Sequence, residues 1–141
     1  MSFAPILQRL APDRRAWLFD LLRFGTVGVA GFLIDTAVVY GTRAQLGLYG
    51  AGILAYLVAA SANWGMNRIW TFRGRGSGPA HRQWLAFLAA NLVGFTLNRG
   101  TYAVLVTLSA LCARQPIYAI AAGAIAGLFT NFTLSRRLVF K

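Results

Sequence analysis

The sequence predicts an all-α membrane protein, with four transmembrane helices arranged as two parallel two-helix repeats and both termini cytoplasmic. Three observations carry this. First, the 141 residues are 57% hydrophobic and 12% charged, with a mean hydropathy of +0.57. About a quarter of a soluble domain is charged, so this chain lacks the side chains to cover a water-facing surface. Second, the chain repeats itself. Phe24, Gly31, Phe32 and Asp35 are matched 63 positions later by Phe87, Gly94, Phe95 and Asn98. Asn63, Asn67, Arg68, Trp70 and Phe72 are matched 68 positions later by Asn131, Ser135, Arg136, Leu138 and Phe140. Third, the basic residues alternate between the apolar runs in a one-sided way.

The elements follow in order. Residues 1–22 form an N-terminal cytoplasmic or interfacial segment. Within it, Asp13 to Leu22 mixes Arg14, Arg15 and Asp20 with Trp17, Leu18 and Phe19, which suits a short interfacial helix or an extension of the first span. A bilayer core needs roughly 20 mostly apolar residues per helix. Repeat one, 23–72, supplies two such runs: about Phe24–Thr42, interrupted only by Asp35, and about Leu48–Asn67. The linker, 73–83, opens with Arg73-Gly74-Arg75-Gly76-Ser77-Gly78-Pro79, which cannot sustain a helix. Repeat two, 84–141, supplies about Trp84–Leu105, interrupted by Arg99, and about Pro116–Ser135. Helices are expected because each satisfies its own backbone inside lipid.

Orientation comes from Arg and Lys. Arg9, Arg14, Arg15, Arg23, Arg68, Arg73, Arg75, Arg82, Arg136, Arg137 and Lys141 fall on one side, against Arg43 and Arg114 on the other. That bias places the first group, and both termini, in the cytoplasm. The net charge of +11 does not mark a nucleic-acid binder, because the cations lie between apolar runs rather than on a soluble face. One cysteine, Cys112, and one histidine, His81, exclude an intrachain disulfide and make a metal site unexpected. No cleavable signal peptide is expected. Three acids and one histidine leave little material for acid–base catalysis, so no enzyme and no cofactor is expected.

Polar residues inside the runs are the functional candidates. Asp35 is the one acid within a span, and an intramembrane carboxylate is costly enough to suggest gating or coupling. Arg99 follows Asn98, the repeat-equivalent of Asp35, so an Asp35–Arg99 ion pair is geometrically reasonable; Arg99 could instead snorkel to the outer interface. Asn63 and Asn67 share a helix face, Asn131 and Ser135 repeat that arrangement, and Arg68, Arg136 and Arg137 follow at the border. Amides beside guanidinium groups suit the phosphate of a lipid head group. The plainer reading is interhelical amide bridging and the positive-inside rule. Gly28, Gly31, Ala55, Ala59, Gly123 and Gly127 suit close helix packing. Trp70, Phe72, Trp84 and Tyr102 are candidates for one aromatic belt, and Tyr40, Tyr49 and Tyr118 for the other.

The run Arg23-Phe24 with Val27-Gly28, then Ala55-Tyr56, Asn63 and Asn67-Arg68-Ile69-Trp70-Thr71-Phe72, resembles the GtrA-like family. Asn131 and Arg136-Arg137-Leu138-Val139-Phe140 extend the resemblance, with Ser135 where the family often has Asn and Leu138 where it often has Trp. The resemblance implies a multi-pass protein of the bacterial inner membrane. It implies flipping of a polyprenyl-phosphate-linked monosaccharide, such as undecaprenyl-phosphate glucose, to the periplasmic leaflet for cell-surface polysaccharide modification. Asn63, Asn67, Arg68, Asn98, Asn131 and Arg136 would then bind the lipid, with Asp35 and Arg99 further along. Four short helices leave little internal cavity, so a homo-oligomer, most simply a dimer, is expected. The alternatives are a non-transporting partner of a membrane glycosyltransferase and a small-multidrug-type proton-coupled exporter.

Overall fold

A computed structural model describes residues 11–76, 78–115 and 117–141. Arg9, Ser77, Pro116 and the side chain of Tyr49 lie outside the described residues. Helix α1 spans Pro12–Met66 and is broken once, at Gly47, whose φ of 68° and ψ of 173° only glycine adopts readily. Helix α2 spans Ala80–Leu108, α3 Ala110–Arg114 and α4 Ile117–Leu134. Two wide π-helical turns follow α1 and α4, at Asn67–Thr71 and Ser135–Val139. Of the two forms expected for Asp13–Leu22, the extension of the first span is the one found: these residues are the continuous first turns of α1. Pro79 precedes α2, where its missing N–H costs nothing and its fixed φ prepares the first turn.

Gly47 folds α1 back on itself. Gly31 and Asn63 each lie 16 positions from it, and a Cβ at Gly31 would fall on the Asn63 amide. The limbs before and after Gly47 are therefore antiparallel and close. The α2–α4 hairpin makes the equivalent contact, with a Cβ at Gly94 falling on Asn131. Its tip is longer: the sequence offset grows from 63 to 68 between the limbs, a difference of five, and α3 has five residues. Ser109 Oγ caps α3 by accepting from the Cys112 N–H at 3.3 Å.

The hairpins join side by side. Tyr56 donates to the Leu88 carbonyl at 2.7 Å, and Trp84 Nε1 to Ser61 Oγ at 2.9 Å. Phe24 meets Phe132 edge-on, with centroids 5.6 Å apart. Phe24, Phe72, Phe87, Phe132, Val139 and Phe140 build one aromatic-rich core at the charged end. Phe72 is 0% exposed and stacks on Phe140 at 4.8 Å. It is a core residue, not a belt residue, because the wide turn before it carries its ring inward. Trp70, Tyr40 and Tyr118 are exposed.

Away from that aromatic cluster, the buried side chains are mostly small and many bulky ones face outward. Ala51, Ala55 and Ala59 are buried at a spacing of four, whereas Val29, Phe32 and Leu33 are exposed. That inversion suits a solvent as apolar as the protein, in which close packing rather than water exclusion joins helices. Among the described residues, one segment, Pro12–Gly47, is by itself long and apolar enough to cross a membrane. Its 36 residues extend about 54 Å, more than a hydrocarbon core of ~30 Å.

Candidate functional site at the charged end

The ends of α1 and α4, the start of α2 and the linker converge on two polar centres. In the first, Asp20 is 4% exposed. Arg75 Nη1 approaches its Oδ2 at 2.6 Å and Arg136 Nε approaches the same oxygen at 3.2 Å. One carboxylate thus ties α1 to the linker and to the second wide turn. In the second, buried Gln83 accepts at Oε1 from Trp64 Nε1 at 3.1 Å and from Arg68 Nη1. Its Nε2 donates to the Val139 carbonyl at 3.4 Å. Gly76, with φ of 95°, lies so close that a Cβ would strike Gln83 Nε2. The Gly76 N–H donates to the Lys141 carbonyl at 2.7 Å, stitching the linker to the end of the second turn.

The wide turns set what each arginine meets. In the first, the Phe72 N–H donates to the Asn67 carbonyl at 2.8 Å; in the second, Phe140 N–H donates to the Ser135 carbonyl at 2.9 Å. Such i→i+5 turns are frequent at functional sites. Asn67 and Ser135 are buried. Among the described residues, five buried oxygens around these turns have no hydrogen-bond partner: Asn63 Oδ1, Asn67 Oδ1, Thr71 Oγ1, Asn131 Oδ1 and Ser135 Oγ. Buried polar atoms are almost always satisfied, so this concentration of free acceptors marks the region. Asn131 Nδ2 donates to Asn91 Oδ1 at 3.4 Å.

The arginines differ. Among the described residues Arg68 and Arg136 are the two half-buried ones; the others are exposed. Arg136 has Asp20 as counter-ion. Arg68 has neutral Gln83 and the face of Trp64, 5.6 Å from the ring centroid.

Further from the charged end, Asn98 sits against Gly123 and Gly127, whose Cβ atoms would contact it at 2.6–3.1 Å. The Asp35–Arg99 ion pair does not form. Both salt bridges among the described residues involve Asp20. Arg99 is exposed and lies 5.5 Å over the Phe95 ring, while Asp35 is half-buried. The reason is rotational: Asn98 takes the inward face, and its neighbour points about 100° away. Sequence reasoning thus brings Asn63, Asn67 and Arg68 to one region, and Asn131 and Arg136 to its counterpart. It misses Asp20, Arg75 and Gln83 as site residues. Gln83 carried a faint signal, as an amide just before an apolar run.

Beside the first turn, Thr26, Val27, Ala30, Met66, Ile69 and Trp70 line an open apolar groove, with Arg23 6.0 Å from the Trp70 ring. Among the described residues no group of His, Cys, Asp or Glu side chains converges on a metal position. The site is therefore a set of guanidinium donors and free oxygen acceptors beside an apolar wall. No curated protein matches the sequence. A family model does: GtrA/DPMS, transmembrane domain, over residues 23–140. That match takes in both hairpins and both wide turns, and the chain belongs to this family of membrane domains.

Proposed function

We propose that the protein translocates a polyprenyl-phosphate-linked monosaccharide, such as undecaprenyl-phosphate glucose, between leaflets of the bacterial inner membrane, with no chemical step. The observation that carries this is the family match over 23–140, joined to arginine-bearing turns beside unsatisfied oxygens. Each part suits one part of such a lipid. Guanidinium groups suit the phosphate. The free oxygens of Asn63, Asn67, Thr71 and Asn131 suit donation from sugar hydroxyls. The groove lined by Val27, Ala30, Met66 and Ile69 suits an isoprenoid tail that stays in lipid.

In this reading the four helical limbs all span the bilayer as two parallel repeats, and the charged end faces the cytoplasm. Arg68 lies where the phosphate enters, with Arg136 at the matching place on the second turn but held by Asp20; Asn98 lies along the route, and Asp35 and Arg99 lie nearer release, acting separately rather than as a pair. A homodimer would widen the path, and membrane glycosyltransferases would supply and use the lipid. The test is leaflet exchange in proteoliposomes holding only this protein, scored by an impermeant oxidant of exposed sugar. Exchange faster than in protein-free vesicles supports the reading; its absence in verified folded protein favours a non-transporting partner of a glycosyltransferase.

One observation favours a second reading. Asp35 is half-buried without an ion pair, as a proton-coupled exporter would need. That reading requires cation efflux driven by a pH gradient and lost in Asp35→Asn.

A further inference from the structure

The two turns repeat each other in sequence, yet their arginines meet different surroundings. Arg136 lies 3.2 Å from a carboxylate that is 4% exposed. Arg68 has no acid available to it: the chain has three acids, and neither Asp13, Asp20 nor Asp35 forms an ion pair with it. A half-buried cation without a counter-ion has lost hydration that neutral neighbours return only in part. Arg68 is nevertheless held in place, by Gln83 Oε1 on one side and the Trp64 face on the other. Gln83 is fixed in turn by Trp64 and the Val139 carbonyl.

A neutral amide is the informative choice at 83. A carboxylate there would orient Arg68 equally well and cancel its charge. An amide orients the guanidinium and leaves the charge unspent, so its remaining N–H groups can take an incoming anion. Asn67 Oδ1 and Thr71 Oγ1, on the same turn, are buried acceptors without donors. An ionised phosphate cannot donate to the Asn67 oxygen, but a hydroxyl of a sugar esterified to that phosphate can, and the Thr71 hydroxyl can serve either group. Tethering by Gln83 also spares rotamer entropy that a free arginine would lose on binding.

We infer that the two turns have unequal roles: Arg68, aimed by the positioning residue Gln83, is the phosphate-binding guanidinium, while Arg136 is withheld by Asp20 and secures the fold. This rests on the proposed function for the identity of the lipid, but not for the anion chemistry. The phosphate belongs to a lipid head group or to a free ion, and the two are separable.

The test measures binding to the detergent-solubilised full chain, using farnesyl phosphate, farnesol and inorganic phosphate as probes. Arg68→Gln is expected to weaken farnesyl phosphate roughly tenfold or more, as loss of a charge-assisted contact should. Arg136→Gln is expected to change affinity by less than threefold while lowering the thermal midpoint. Gln83→Glu keeps the acceptor for Trp64 and Arg68 but loses the long donor contact to the Val139 carbonyl, so it should lose affinity as Arg68→Gln does with only a small fall in midpoint; a merely structural Gln83 would give the fall in midpoint without the loss of affinity. Equal weakening by Arg68→Gln and Arg136→Gln in folded protein overturns the inference, as does wild-type affinity in Gln83→Glu. If wild-type protein binds farnesol as tightly as farnesyl phosphate, the phosphate-lipid reading falls with it. If inorganic phosphate matches farnesyl phosphate, Arg68 keeps its role and the ligand is a free anion.

Discussion

The Asp20 carboxylate meets the Arg136 guanidinium at 3.2 Å across 116 positions of sequence. With Arg75 on the same oxygen, this contact joins the beginning, middle and end of the chain at one point. Asp20→Asn keeps the shape and removes the charge, leaving two guanidinium groups facing each other. The expected loss is about 1–3 kcal/mol, below the full cost of a broken buried pair because both arginines are about a third exposed. Thermal unfolding in detergent checks it, with exposed Asp13→Asn as the unchanged control.

The glycines opposite Asn63 and Asn131 are predicted to be irreplaceable. Gly31→Ala and Gly94→Ala each set a methyl group onto an asparagine amide, and overpacking of this kind costs about 1–3 kcal/mol. Gly28→Ala, with nothing within 4 Å, should be neutral or stabilising through helix propensity, by at most ~1 kcal/mol. The same unfolding assay separates the three.

Gly47→Ala should destabilise without touching any neighbour. Nothing lies within 4 Å of a Cβ there, but φ of 68° is costly for an L side chain. A penalty of about 1–3 kcal/mol is expected. Gly41→Ala, in regular helix with equal space, should show none.

Asp35 and Arg99 should behave as strangers. A double-mutant cycle with Asp35→Asn and Arg99→Gln should give a coupling energy under about 0.5 kcal/mol in thermal unfolding. Coupling of an ordinary buried pair would show that the two side chains meet.

Orientation is predicted by labelling. In a Cys112→Ala background, Arg73→Cys should react with an impermeant maleimide only after the membrane is opened, and Gln45→Cys in intact cells. Reaction of Arg73→Cys in intact cells would place the charged end outside.

The repeat was legible because Asn63 and Asn131 lie at corresponding places opposite Gly31 and Gly94, and both glycine and asparagine are rare enough in apolar runs to be noticed. The hairpin of α1 was legible from the polar break near Gly47. Three things were not. Phe72 looked like a belt residue, since aromatic side chains serve cores and interfaces alike. The wide turn that brings it inward has no composition signal. The partner of Arg136 could not be read, since an ion pair spanning 116 positions leaves no local pattern. Depth alone could not choose between the two places left open for Arg99, a pair with Asp35 and an exposed position; Asn98, which lies against Gly123, takes the inward direction and leaves Arg99 exposed.

The same five-residue wide turn closes both hairpins, with a phenylalanine ring at its end. The far tips differ: a single glycine, Gly47, reverses one hairpin, and the five-residue helix Ala110–Arg114 lies at the tip of the other. The molecule is therefore close to symmetric at its charged end and asymmetric at its far end, so a ligand passing from one to the other leaves matched surroundings for unmatched ones.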